Sequence, residues 1–119
     1  MKSPHDLGKK GEAIAAKYLI QQGYQILARN YRYLKAEVDL IVQIDQTIVG
    51  VEVKTRSSRD FGNPQDFIKK KQITNLVAAL DHYVQDMANP VEVRLDIIAI
   101  ISNNNSLDIE HIKDAIYHF

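Results

Sequence analysis

Three charged residues stand inside two apolar, β-branched runs. Asp39 lies in Ala36-Glu37-Val38-Asp39-Leu40-Ile41, and Glu52 and Lys54 lie in Val51-Glu52-Val53-Lys54-Thr55-Arg56. Side chains alternate along a strand, so Glu37 and Asp39 share one face of the first run, and Glu52 and Lys54 share one face of the second. Charges in runs this apolar are costly to bury unless they are paired or hold a metal. Two carboxylates from neighbouring strands can share a hard divalent cation such as Mg2+ or Mn2+, which takes oxygen ligands and keeps several waters. A water on such an ion deprotonates more readily, and a nearby ammonium can orient it or offset charge developing on a phosphate. These parts suit phosphodiester hydrolysis. An acidic-x-Lys triplet alone is common, and its plainer account is a pair of strands with solvent-facing ion pairs. An Asp on the preceding arm of a tight hairpin lifts the pattern above that background.

Other chemistries fit less well. The 119-residue chain has no cysteine, which excludes disulfides, thiolate nucleophiles and cysteine-ligated zinc. Gly8-Lys9-Lys10-Gly11 falls within a helical pattern and lacks the spacing of a phosphate-binding loop. His5, His82, His111 and His118 are scattered, against a histidine metal site. Ser57 and Ser58 lack the glycine pattern of a nucleophile elbow. Arg94 and Asp96 share one strand face and read as a structural pair rather than a second site.

The elements that would position Asp39, Glu52 and Lys54 follow from periodicity and punctuation. Ser3-Pro4 opens a helix that runs to Gln22, with Gly23 as its stop. Leu7, Gly11, Ile14, Ala15, Tyr18 and Leu19 form its apolar arc, Lys9, Lys10 and Lys17 lie opposite, and Glu12 sits at the arc's edge. Tyr24 to Tyr33 reads as an edge strand, with Arg29, Asn30 and Arg32 interleaved with aromatics. Glu37 to Ile44 and Ile48 to Thr55 form a hairpin across Asp45-Gln46-Thr47. Ser57 to Pro64 is a polar loop. A second helix spans about Asp66 to Met87, with Ile73, Leu76, Val77, Leu80, Tyr83 and Val84 as its core stripe. Lys69 and Gln72 lie near that stripe, and Lys70 and Lys71 point outward. Val91 to Ile101 is apolar on both faces, as a central covered strand should be. Leu107 to Ile112 is the last strand. The order is α-β-β-β-α-β-β, a mixed sheet flanked by helices in one domain, residues 1–119.

Composition bounds the partners. An apolar fraction of 45% and a charged fraction of 25% are those of a soluble globular protein. No apolar run approaches the length of a membrane span and the N-terminus lacks a signal-peptide core, so a cytoplasmic address and no membrane partner are expected. The net charge of +0 conceals a division. Residues 1–71 hold 13 Lys and Arg against 8 Asp and Glu, and residues 72–119 hold 2 against 7. Such asymmetry hints at a polyanion-binding face.

An ordered set of short motifs narrows these readings. Gly8-Lys9-Lys10-Gly11-Glu12, Ala16-x-Tyr18-Leu19, Gly23-Tyr24, Arg29-Asn30, Glu37-Val38-Asp39-Leu40-Ile41, Glu52-Val53-Lys54-x-Arg56 and Arg94-x-Asp96 resemble the YraN-like family of small bacterial proteins. That family is similar to the PD-(D/E)XK nucleases, in particular the archaeal-type Holliday-junction resolvases. The resemblance implies a restriction-endonuclease-like fold and a Mg2+- or Mn2+-dependent nuclease, or nuclease-like protein, acting on DNA, with branched junctions as the implied target. It matches Glu12 to the helix acid, Asp39 to the second acid, and Glu52 and Lys54 to the E-x-K motif. Asp39, Glu52 and Glu12 would then hold the metal. A lysine usual on the next helix falls on Gln72, an accessory position. Ala36 stands where the family usually has glycine, so the turn into this strand must differ. Arg29, Arg32, Arg56, Arg59, Lys69, Lys70 and Lys71 are candidate backbone contacts. Two further readings are a non-catalytic nucleic-acid-binding domain on the same scaffold and a protein-interaction module. The sequence leaves the oligomeric state open. Resolvase-like relatives are dimers, and the C-terminal strand with Tyr117-His118-Phe119 is the candidate homodimer interface.

Overall fold

The computed structural model describes residues 4–56, 68–103 and 106–115. A five-stranded mixed sheet carries one helix on each face, the α/β arrangement of a restriction-endonuclease-like fold. The elements are α1 (Pro4–Gln21), β1 (Gln25–Tyr33), β2 (Ala36–Ile44), β3 (Thr47–Arg56), α2 (Lys70–Val84), β4 (Glu92–Asn103) and β5 (Ser106–Ile112). The order expected from the sequence is the order found. Strands lie side by side as β1-β2-β3-β4-β5. The β3–β4 pair is parallel, with α2 in its crossover, and the others are antiparallel.

The two cores divide by strand alternation. Leu95, Ile97 and Ala99 of β4 pack with Ile73, Leu76 and Leu80 of α2. Ile98 and Ile100 pack on the other face with Ala15, Ala16 and Leu19 of α1. A run apolar on both faces is thus covered on both faces, as expected. The middle strand of the sheet is β3, however, and β4 lies one place outward, because β5 adds at only one edge.

Most boundaries move by a residue or two, and α2 moves most. Its described part begins at Lys70, after an extended Lys69, and ends at Val84 rather than Met87. The Met87 N–H bonds the Val84 carbonyl at 3.0 Å, which closes the end in a tighter turn ahead of Pro90. The start expected at Asp66, the Ser57–Pro64 loop, Arg59 and Tyr117-His118-Phe119 lie outside the described residues. The stop of α1 is a Schellman arrangement on Gly23 at φ +95°. There the Gly23 N–H reaches Ile20 O at 3.1 Å and the Tyr24 N–H reaches Leu19 O at 3.0 Å.

Close approach fixes α1 against the sheet. A Cβ on Gly11 would overlap Thr55 Oγ1, so only glycine lets this turn of helix sit against β3. That contact brings the next residue, Glu12, over the β1–β2 edge. The sheet order also turns the charge division into a spatial one. Arg29 and Arg32 of β1 and Lys35 of the turn after it lie at one edge, and acidic β5 occupies the other. Among the described residues no helix is long and apolar enough to cross a membrane.

Candidate functional site

The site begins where two strands part. Pairing between β2 and β3 runs from Ile44↔Thr47 to Leu40↔Val51. Beyond that point β2 continues against β1, through Val38↔Tyr31 to Ala36↔Tyr33. β3 continues against β4, through Glu52↔Ile97 to Arg56↔Ile101. Asp39 and Glu52 are the first residues past the last shared pair. They stand on the two arms of a fork.

The backbone turns at this level to aim the side chains. Val38 packs on the α2 side of the sheet, yet Leu40, two residues on, packs on the α1 side. A regular strand would place both on one face. Opposite Asp39, Asn30 of β1 takes a left-handed φ of 52°, a conformation that asparagine tolerates. The rotation presents Asp39 to the fork, where its Oδ2 accepts the Val53 backbone N–H at 2.8 Å.

Glu52 lies behind Asp39, with only 8% of its surface exposed. Its Oε1 meets Lys54 Nζ at 3.6 Å, and its Oε2 is buried without a hydrogen-bond partner. Burial, and next the Asp39 charge, push the Glu52 carboxyl up to about 8. Burial also raises Asp39, although the Val53 N–H, Glu52 and Lys54 all pull the other way. At neutral pH burial and the neighbouring charge therefore favour the protonated form of Glu52.

In front of the pair is an open cleft of about 790 Å3, lined among others by Lys9, Glu12, Arg29, Arg32, Glu37 and Asp39. With its amide oriented to donate, Asn30 reaches Glu12 Oε1 at 2.9 Å and Glu37 Oε1 at 3.1 Å. Arg32 Nη2 meets Glu37 Oε2 at 3.3 Å. Burial, followed by repulsion from Asp39 and Glu37, raises Glu12, against the pull of Arg29 and Lys9. A second cavity, about 260 Å3, shares Glu37 as a wall and is lined by Lys35, Lys69, Lys71 and Gln72.

Asp39, Glu52 and Lys54 thus stand together, and Glu12 faces the same cleft from α1. Among the described residues no group of three or more His, Asp or Glu is gathered as a metal-binding set. The gathered acids are Asp39 and Glu52. Arg29 and Arg32 line the cleft, whereas Gln72, Lys69 and Lys71 line the neighbouring cavity. Arg56 is exposed and bonds the Thr55 carbonyl at 2.9 Å, and Lys70 is exposed on α2. Sequence reasoning did not place Asn30 or Glu37 among the site residues. The signal was available, since Glu37 shares a face with Asp39 and Asn30 sits in the Arg29-Asn30 pair.

A second buried cluster is structural. Asp96, 0% exposed, takes Arg94 Nε at 2.9 Å and Nη2 at 3.0 Å, His111 Nε2 at 2.7 Å and the Asp114 N–H at 3.1 Å. Burial pushes Asp96 up, but the bonds from His111, Arg94 and Asp114 outweigh it and bring it below its ordinary value. Tyr24 accepts from Arg94 at 2.8 Å, and Tyr18 bonds His111 Nδ1 at 3.0 Å. The Arg94–Asp96 pairing read from the strand face is therefore found, and it ties β4 to β5 and α1.

Residues 11–100 match the uncharacterised protein family UPF0102, a span that contains Glu12, Asp39, Glu52 and Lys54. A UPF0102 protein of Christiangramia forsetii is 55% identical over 119 residues, covering 100% of both chains. One of Flavobacterium johnsoniae is 48% identical over 123 residues, again covering 100% of both. One of Bacteroides thetaiotaomicron is 39% identical over 117 residues, covering 98% of this chain and 97% of the relative. With a family match over most of its length and relatives similar from end to end, the chain belongs to the UPF0102 (YraN) family.

Proposed function

We propose that this protein is a divalent-metal-dependent nuclease acting on DNA, with branched junctions as its target. The observation that carries the proposal is the placing of Asp39 and Glu52 on the two arms of the strand fork, with the orphaned Glu52 Oε2 and with Lys54 3.6 Å from Oε1. A buried carboxyl with an unpartnered oxygen, beside a half-buried one, fits a hard cation that would take the place of the Glu52 proton.

Asp39 and Glu52 would hold that ion, such as Mg2+ or Mn2+, and when bound it would supply Lewis acidity toward a phosphate and a more acidic water. The Val53 N–H fixes the Asp39 carboxylate, so one oxygen is oriented before anything binds. Lys54 is confined to the same strand face as Glu52, where its ammonium would offset charge building on the phosphate. Glu12, held by Asn30 over the cleft, supports the acidic set from α1. Arg29, Arg32 and Lys9 along the cleft, and Lys69 and Lys71 in the adjoining cavity, would take flanking phosphates without reading bases.

The test is a panel of end-labelled linear, flapped and four-way DNA substrates with Mg2+ and with Mn2+. The parent should cut branched substrates, and Asp39→Asn and Lys54→Ala should not. Equal cleavage by the parent and both variants, or no products from the parent under either cation, overturns the proposal.

A further inference from the structure

The β1–β2 hairpin carries Asp39, one of the catalytic candidates, aromatic side chains packed on α2, and a bare leucine at its tip. The turn is two residues long, Leu34-Lys35, between the paired Tyr33 and Ala36. Leu34 adopts φ 55° and is 86% exposed. Each property is unfavourable. A left-handed backbone in such a turn is the place for glycine or asparagine, and a branched apolar residue there is strained. Leu34 is also far more exposed than the other large exposed apolar residues described, Ile20 at 56% and Leu107 at 50%. The left-handed backbone and the apolar exposure coincide at this one tip, and such strain is found where a site meets a ligand.

The surroundings indicate what that is. Leu34 is followed by Lys35, which with Lys69 and Lys71 lines the neighbouring cavity. Beneath the tip, Tyr33 stacks on His82 at 4.1 Å between ring centroids, and Tyr31 stacks on Tyr83 at 5.2 Å. The hairpin is thereby braced against α2 as a rigid projection. Cationic groups around an apolar point suit a polyanion whose interior is apolar, and stacked bases in a phosphate frame are such a body.

We infer that Leu34 is a wedge that enters an opened base step at the branch point of a DNA junction. This inference rests on the nuclease reading above and specifies how a branch is recognised. It also sets a distance. Leu34 and Asp39 are five residues apart on one ribbon, at most about 17 Å of chain. At about 3.4 Å per nucleotide, the carboxylate fork would then address a phosphate within roughly five nucleotides of the branch. A linear duplex offers no pre-opened step, so the wedge favours junctions over duplex.

The experiment uses the full chain, in EDTA so that nothing is cut, and a four-way junction with 2-aminopurine beside the branch point. The parent should raise the fluorescence as the base unstacks. Leu34→Asn, which suits the left-handed turn, should raise Tm by roughly 2–4 °C. It should nevertheless lose the fluorescence rise and bind the junction roughly tenfold more weakly, with affinity for linear duplex within about twofold of the parent. A higher Tm with these losses separates loss of the wedge from misfolding. An equal rise with parent and variant, or junction binding by the parent without any rise, overturns the wedge and leaves the nuclease reading standing. Absence of junction binding by the parent overturns the wedge, and cleavage in the Mg2+ and Mn2+ panel decides the nuclease reading separately.

Discussion

Asp39 bonds the backbone of β3 in place of a neighbouring strand, its Oδ2 accepting the Val53 N–H at 2.8 Å where pairing with β2 has ended. The same carboxylate is the inner wall of the cleft. One side chain therefore both closes the fork and offers charge to it, and substitutions should separate these duties. Asp39→Ala leaves the Val53 N–H without its acceptor, a cost of about 1–3 kcal/mol. Asp39→Asn keeps an acceptor oxygen and removes a charge that disfavours ionised Glu52. Thermal unfolding should therefore place Asp39→Asn at or above the parent and Asp39→Ala several degrees below it, with both inactive on DNA. Equal losses of Tm would show that the Val53 bond contributes nothing.

Glu52 makes stability depend on pH in an unusual direction. Its carboxyl moves from 4.5 to about 8 on folding, so between those values the folded chain holds a proton that the unfolded chain releases. Its contribution is fully present below pH 4.5 and is lost as pH rises to about 8. At about 1.4 kcal/mol for each tenfold change in proton affinity, the loss reaches a few kcal/mol, or on the order of 10 °C in Tm. Melting curves from pH 5 to pH 9 should fall for the parent. Glu52→Gln, which cannot ionise, should flatten the fall, and an unchanged slope in Glu52→Gln would remove Glu52 as its source.

A cation bound by Asp39 and Glu52 must displace the proton that Glu52 keeps up to about pH 8, so its affinity should climb with pH. Millimolar Mn2+ should raise Tm more at pH 8 than at pH 6, by about 2.7 kcal/mol of stability when the ion is at a hundredfold its Kd. Glu52→Gln and Asp39→Asn should each abolish the rise. A Mn2+ shift of equal size in those variants would locate the ion elsewhere.

Much of this was legible in the chain because local rules act on local sequence. Gly23 stops α1, two apolar runs make β2 and β3, and an all-apolar run in β4 demands cover on both faces. The alternation that puts Glu52 beside Lys54 could be read directly. The fork could not, because it depends on which neighbour each strand keeps after Leu40 and Val51, and for β3 that is β4, which is distant in sequence. The rotation between Val38 and Leu40 is likewise invisible to a period of two. Asn30 belongs to the site through a left-handed residue inside a strand, which no periodicity announces. The Ala36 departure resolves simply, since the turn places its left-handed residue at Leu34.

The Asp96 cluster offers the last separation, between holding the fold and doing chemistry. Asp96→Ala would strip the partly buried Arg94 of its carboxylate and leave the His111 and Asp114 N–H donors without their acceptor, a combined cost of about 3 kcal/mol. Tyr18→Phe removes only the hydroxyl bonded to His111, about 1 kcal/mol. Thermal unfolding should rank the losses in that order, with Asp96→Ala on the order of 10 °C below the parent. Cleavage per folded molecule, measured well below each variant's Tm, should remain at the parent's level, because the cluster joins α1, β4 and β5 and none of its side chains lines the cleft. A stable, folded Tyr18→Phe protein that no longer cuts would reverse this reading and make the Tyr18–His111–Asp96 chain a second chemical site.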